Sequence, residues 1–272
     1  MPAGTLTNGV LTLNLVAERG DWQPEGAKGP TLSVYAFREE AGSLLMPGPL
    51  IRVTVGTEIH VSIRNAISNT PLQVFGLQDR PATGVQAVVV PAGEKRDVVF
   101  RAGAPGTYHY WAATGGHAFG ERTDVDSQLS GALVVDPPGA RPDDRVMVIG
   151  LWVKPGTNGD AGNNIGTING TSWPATEVMN YRVGENVRWR IINLSSDNHA
   201  MHLHGMFFDV VSTSNGLTSQ FLNRPLTEVT HAVPPGSTFD MWLNLVRGTA
   251  NGSFKRGSSS IRKGLSQEGS SS

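Results

Sequence analysis

The 272-residue chain carries 22 lysines and arginines against 23 aspartates and glutamates, a formal charge of −1, and 39% of its residues are apolar. Charged residues, at 17%, are sparse and of mixed sign, which argues against both a nucleic-acid surface and a largely disordered chain. Cysteine is absent, which removes disulfides, thiol chemistry and every thiolate-bound metal.

Glycine (33) and proline (17) are spread as punctuation between short apolar runs. These residues interrupt helices and supply turn dihedrals, so the pattern predicts an all-β chain of short strands. No apolar run reaches membrane-spanning length, and the polar N-terminus does not read as a signal peptide.

In chain order, alternation from Val10 to Glu18 gives a first strand and residues 31–37 a second, after which Pro47-Gly48-Pro49 breaks the chain before residues 50–55. Across residues 59–65, Ile59, Val61 and Ile63 share one face while His60, Ser62 and Arg64 share the other, making His60 a solvent-face residue. Further strands are expected at 72–77, 85–90, 96–101, the aromatic run 107–111 and 132–135. That makes about seven or eight strands, enough for one antiparallel sandwich.

Pro137-Pro138-Gly139-Ala140-Arg141-Pro142 is too rich in proline to continue a central strand and marks a domain boundary. The second unit opens with a strand at 145–153, then a flexible Gly/Asn segment at 156–166 and a turn at Thr167-Ile168-Asn169-Gly170. Strands follow at 178–183, 186–193, 206–211, 227–233 and 237–245. Beyond Arg247 the apolar pattern ends, and Gly, Ser, Lys, Arg and Gln dominate, as in a disordered tail. The expected units are therefore residues 1–136, 137–246 and 247–272.

Both units repeat one local grammar. Arg52-Val53-Thr54-Val55-Gly56-Thr57 matches Tyr181-Arg182-Val183-Gly184-Glu185, and Val90-Pro91-Ala92-Gly93 matches Val233-Pro234-Pro235-Gly236. Two copies of a similar sandwich account for this.

The most specialised stretch is His199-Ala200-Met201-His202-Leu203-His204-Gly205, with three of the seven histidines in six residues. If residues 202–204 are extended, His202 and His204 share a face with Cα atoms about 6.5 Å apart, suiting one ligand each to neighbouring ions. His199, at odd offset, faces elsewhere. Imidazole suits copper, zinc, iron or nickel and not Mg²⁺ or Ca²⁺. The competing account is a set of surface histidines bordering a core strand. No nucleophile elbow or dinucleotide-binding glycine motif is present.

The repeated grammar together with this histidine motif resembles the multicopper oxidases, laccase-like enzymes built of tandem cupredoxin sandwiches, over roughly residues 30 to 246. The stretches Thr167 to Pro174 and Gly184 to Asn193 look like the approach to the histidine motif in bacterial members. The resemblance implies tandem Greek-key β-sandwiches, the second of them not visibly complete, and a periplasmic or secreted location. It implies that His199 faces the mononuclear blue copper and that His202 and His204 belong to the trinuclear cluster.

The first unit resembles the copper-free version of the domain: Gln73-Val74-Phe75-Gly76 stands where His-x-His-Gly is expected, and Thr107-Tyr108-His109-Tyr110-Trp111 where His-x-His is expected. His109, His117 and His231 therefore read as packing, loop and strand residues, and Met201 and Met206 as packing residues. After residue 240 the family pattern of His-Cys-His and axial Met does not follow.

The chain is accordingly expected to be a truncated or partial oxidase, inactive alone, holding copper in a partial site and needing C-terminal cupredoxin domains or another subunit as partner. In the family, one-electron oxidation of a substrate is coupled to reduction of oxygen to water. Two alternatives stand: a non-enzymatic copper-binding module, and a structural or carbohydrate-binding sandwich, the latter favoured by an exposed Trp152 or Trp173 in a concave site.

Overall fold

A computed structural model of the chain describes residues 2–140, 143–154, 163–248 and 259–261. The first half forms two packed sheets. One contains β1 (Thr5–Thr7), β2 (Val10–Trp22), β3 (Leu32–Glu39), β5 (Glu58–Asn65) and β8 (Lys95–Arg101); the other contains β4 (Gly48–Thr54), β6 (Leu72–Phe75), β7 (Ala87–Val90), β9 (Gly106–Thr114) and β10 (Ser130–Asp136). Along β5 the expected alternation holds: Ile59, Val61 and Ile63 are fully buried, and His60 is half-buried beside Glu58 at 2.8 Å. The inward residues of both sheets form one continuous core, including Leu13, Leu15, Ile51, Val74, Tyr108 and Tyr110.

The second half is built on a six-stranded sheet in the order β12 (Asn163–Ile168), β11 (Arg145–Lys154), β14 (Asn186–Asn193), β19 (Thr238–Gly248), β16 (Met206–Ser214) and β17 (Ser219–Glu228). Against its inner face lie two short pairs, β13 (Met179–Tyr181) with β20 (Ser259–Ile261), and β15 (His199–His202) with β18 (Thr230–Val233). Met201 and Val233 from the second pair, and Leu203 just after it, join Trp189, Ile191, Phe208, Phe239 and Met241 in a separate core.

The two halves repeat one topology. The order β3-β2-β5-β8, with β2 and β5 parallel, recurs as β12-β11-β14-β19 with β11 and β14 parallel. The β6–β7 pair recurs as β15–β18, and the hairpin β16–β17 is inserted between the members of that second pair. Gly56 and Gly184 turn the chain at corresponding places, each with φ of 93°, a conformation that favours glycine. The all-β architecture of tandem cupredoxin-like sandwiches follows from these sheets.

Several segments depart from the sequence expectation. Residues 163–168, expected as a flexible segment running into a turn, form β12, because Ile165 and Thr167 alternate inward while β11 supplies a free edge to pair with. β17 is an exposed edge strand without apolar alternation, so no period announced it. Residues 155–162 lie outside the described residues, as does most of the expected tail; within that tail, Ser259–Ile261 pairs with β13.

Strand β9 joins the halves and is buried throughout. Its even positions, Tyr108 and Tyr110, enter the first core, while Thr107 and His109 point into the second half. Around Thr107 lies a buried ionic network. Arg190 bonds Asp144 (2.5 Å), Asp136 (3.1 Å), Asp240 (3.0 Å) and Thr107 (2.8 Å), and Arg52 bridges Asp136 and Asp144 at 2.6 Å each. Arg188 adds a 2.7 Å bond to Asp240, and Thr107 donates to the same carboxylate at 2.5 Å. Every carboxylate taken out of water here meets at least two cationic or hydroxyl donors, as burial of charge demands.

Candidate metal centre

The histidine motif sits on a corner built by Asn193, the last residue of β14. Its Nδ2 donates to the carbonyls of Asp197 (2.8 Å) and Val233 (2.7 Å), and its Oδ1 accepts from the Ser195 N–H (3.0 Å) and hydroxyl (2.7 Å). From that corner the chain enters β15, in register with β18: His199 opposite Val233, Met201 opposite His231 and His202 opposite Thr230. Period-2 alternation then sends His199, Met201 and Leu203 to the core side, and Ala200, His202 and His204 to the outer side. Met201 and Leu203 are buried, while His202 and His204 are exposed.

The two outer rings meet. His202 and His204 stand with centroids 4.7 Å apart and planes at 87°, although the strand ends at His202 and Gly205 turns the chain with φ of 75°. His202 Nδ1 lies 2.6 Å from the Thr230 hydroxyl, which leaves Nε2 as its outward donor. A ring nitrogen tied to an oxygen partner while the other stays open is the usual arrangement of a ligating histidine.

His199 is half-buried on the other side, with Nε2 2.8 Å from Ser195 Oγ. Burial pushes its pKa below the usual imidazole value, against an opposing pull from Asp197. The imidazole set therefore fits copper by donor chemistry, with two rings together and one apart. Among the described residues no three His, Cys, Asp or Glu side chains converge on one ion.

The other histidines have separate partners. His231 bonds Glu228 at 2.7 Å and packs on Phe239, centroids 4.4 Å apart. His117 is exposed near Asp126. His109 is buried, with Nε2 2.8 Å from the Gly236 carbonyl, and desolvation lowers its pKa to about 4. In the first half Leu72, opposite Val90, sits where His199 sits opposite Val233, and Phe75 stacks on Trp111 at 4.0 Å. Neither position offers a ligand.

Of the two tryptophans, Trp152 is buried and Trp173 is 69% exposed; Trp173 does not line the cleft of about 580 Å³ beside Arg52, Asp144, Arg145 and Glu177. No helix of the described residues is long and apolar enough to cross a membrane.

Sequence reading missed the residues that hold the histidines: Ser195, Thr230, Asn193 and Arg122. Arg122, from the first half, is buried between Trp111 and Phe119 and donates to the carbonyls of Leu129 (3.3 Å) and Leu194 (2.9 Å). Burial lowers its pKa to about 10, which leaves it charged at neutral pH. It anchors the segment that carries Ser195.

Comparison with known proteins matches two family models, both described as multicopper oxidase, to residues 44–139 and 152–243. A curated relative, the probable nitrite reductase-hydroxylamine oxidoreductase fusion protein of Kuenenia stuttgartiensis, is 28% identical over 185 residues, covering 59% of this chain and 20% of that protein. The chain thus spans about a fifth of the length of that relative. Among solved structures, the blue copper oxidase of Nitrosomonas europaea matches with a TM-score of 0.68 and 23% identity, over 86% of this chain and 75% of the other. The copper nitrite reductase of the same organism matches with a TM-score of 0.64 and 18% identity, over 88% and 85%. At these identities the structural likeness establishes the fold alone.

Proposed function

We propose that this chain, which matches the multicopper oxidase family in both its halves, is a copper-binding portion of a laccase-like oxidase and does not turn over oxygen by itself. His202 and His204 are read as ligands on an exposed rim, and His199 as the ligand of a separate copper behind them. The observation that carries this reading is the pair of exposed rings 4.7 Å apart, one of them tied at Nδ1 to Thr230. Bound copper would supply the one-electron chemistry; the protein's own part is to hold imidazoles at fixed spacing.

The rim supplies two rings, and imidazoles from C-terminal cupredoxin domains or another subunit would complete it. In that role residues 1–136 form a ligand-free cupredoxin-like unit and residues 137–246 the unit that carries the histidines. A periplasmic or secreted location accords with this reading. The exposed His202–His204 pair, taken without further domains, also supports a second reading, a copper-binding module without oxidase activity.

Copper content after loading and desalting tests the assignment. The wild-type chain is expected to retain copper that a His202→Ala/His204→Ala double variant loses, with no oxygen consumption from either protein in the presence of a reducing phenol. Equal copper in both proteins would remove the rim assignment. Oxygen consumption by the wild type that the double variant lacks would make the chain an enzyme in its own right.

A further inference from the structure

The repeat supplies an internal control for the His199 corner. In the first half Asn65 makes the same bonds as Asn193: its Nδ2 donates to the carbonyls of Thr70 (2.8 Å) and Val90 (3.0 Å), and its Oδ1 accepts from the Ile67 N–H (3.0 Å). Asn65 also pairs through its backbone with Glu94 and Gly93 as Asn193 does with Ser237 and Gly236. The asparagine corner is therefore common scaffold. What differs is its filling: Ile67 and Leu72, both buried, stand where the second half has Ser195 and His199. An apolar pair has been exchanged for a hydrogen-bonded one at 2.8 Å.

The bonds around Ser195 bear on which nitrogen of His199 carries the proton. Asn193 Nδ2 faces two carbonyls, so Oδ1 is the acceptor turned toward Ser195. The hydroxyl has one hydrogen, and its neighbours Asn193 Oδ1 (2.7 Å) and the Asp197 carbonyl (3.1 Å) are both acceptors. With that hydrogen on Asn193 Oδ1, the shortest of these contacts, Ser195 Oγ, which also takes the Asp197 N–H (3.2 Å), meets His199 Nε2 as an acceptor. In that arrangement Nε2 is the protonated nitrogen, and Nδ1 keeps its lone pair.

We propose that Ser195 is a positioning residue for His199, holding the ring with Nε2 protonated so that Nδ1 is the nitrogen presented to copper. This rests on the copper reading above. Arg122 braces the same segment from the first half through the Leu194 carbonyl, which gives the ligand-free half a part in fixing a ligand of the second.

The test uses the full ¹⁵N-labelled chain with Ser195→Ala and Ser195→Thr; Ile67 at the equivalent corner indicates that an apolar residue there is compatible with the fold. Long-range ¹H–¹⁵N correlation at neutral pH without metal reads the tautomer. His199 should be the Nε2–H form in the wild type and the Thr variant, and a mixture in the Ala variant. An Nδ1–H ring in the wild type, or unchanged populations in Ser195→Ala, overturns the proposal.

Anaerobic titration with diamagnetic Cu(I) should then shift the His199 Nδ1 resonance, with the midpoint at about 10- to 100-fold more copper in Ser195→Ala. If the tautomers behave as expected but Cu(I) leaves Nδ1 unmoved, the copper assignment of His199 is what fails. If Cu(I) shifts Nδ1 equally in all three proteins, copper stands and the positioning role of Ser195 fails.

Discussion

His109 keeps its ring neutral in the folded protein, because burial lowers its pKa to about 4 from the ordinary 6.5. Unfolding exposes the ring, which then takes up a proton below pH 6.5, so between pH 6.5 and 4 the unfolded state binds more protons than the folded one. The stability that follows from the neutral ring is complete above pH 6.5, declines as the pH falls through that window and levels off below about 4. The full loss is roughly 3 kcal/mol. His109→Gln keeps an N–H toward the Gly236 carbonyl and cannot titrate, so denaturant titrations between pH 7 and 4 should decline more steeply for the wild type. Equal slopes would assign the acid sensitivity to another group. The histidines themselves were legible in the sequence as a dense motif, and the strand period placed His202 and His204 on one face. Their partners were not legible, since Thr230 lies 28 residues away and a serine four residues before a histidine announces nothing.

At the scale of elements, the duplicated asparagine corners close each half. Each donates to two backbone carbonyls and accepts from one N–H, the carbonyls of Val90 and Val233 through buried bonds. Leaving buried groups unsatisfied costs about 1–3 kcal/mol apiece, so Asn65→Ala and Asn193→Ala should each lower unfolding stability by roughly 3 kcal/mol or more. Urea denaturation checks this, and a change below about 1 kcal/mol in either variant would mean that the corner relaxes onto other partners. The strands were largely readable because Gly and Pro punctuation and apolar alternation are local signals; the turns after Val90 and Val233 even betrayed the repeat. The corners were hidden, because each asparagine reaches carbonyls as far as 25 and 40 residues downstream. Edge strand β17 was hidden for a different reason: exposed on both faces, it carries no hydrophobic period.

For the whole molecule, the joint between the halves depends on three arginines, 52, 188 and 190, and three aspartates, 136, 144 and 240. In the sequence nothing local marks these charges as interior; the packing of β9 against the second half brings Thr107 onto Asp240 and Arg190. Arg190→Met would leave Asp136, Asp144 and Asp240 short of a partner in a dry site. A loss of about 3–5 kcal/mol is expected. Faster proteolysis within residues 137–142 should accompany it as the halves separate, and wild-type cleavage rates in the variant would mean that apolar contacts alone hold the joint.

The signs in that joint cancel, three against three, and the carboxylates are almost wholly screened by protein from the surrounding electrolyte. Mobile ions weaken attraction only where they can approach, so raising salt toward molar concentrations should barely loosen the two sandwiches, unlike an assembly held by surface charge.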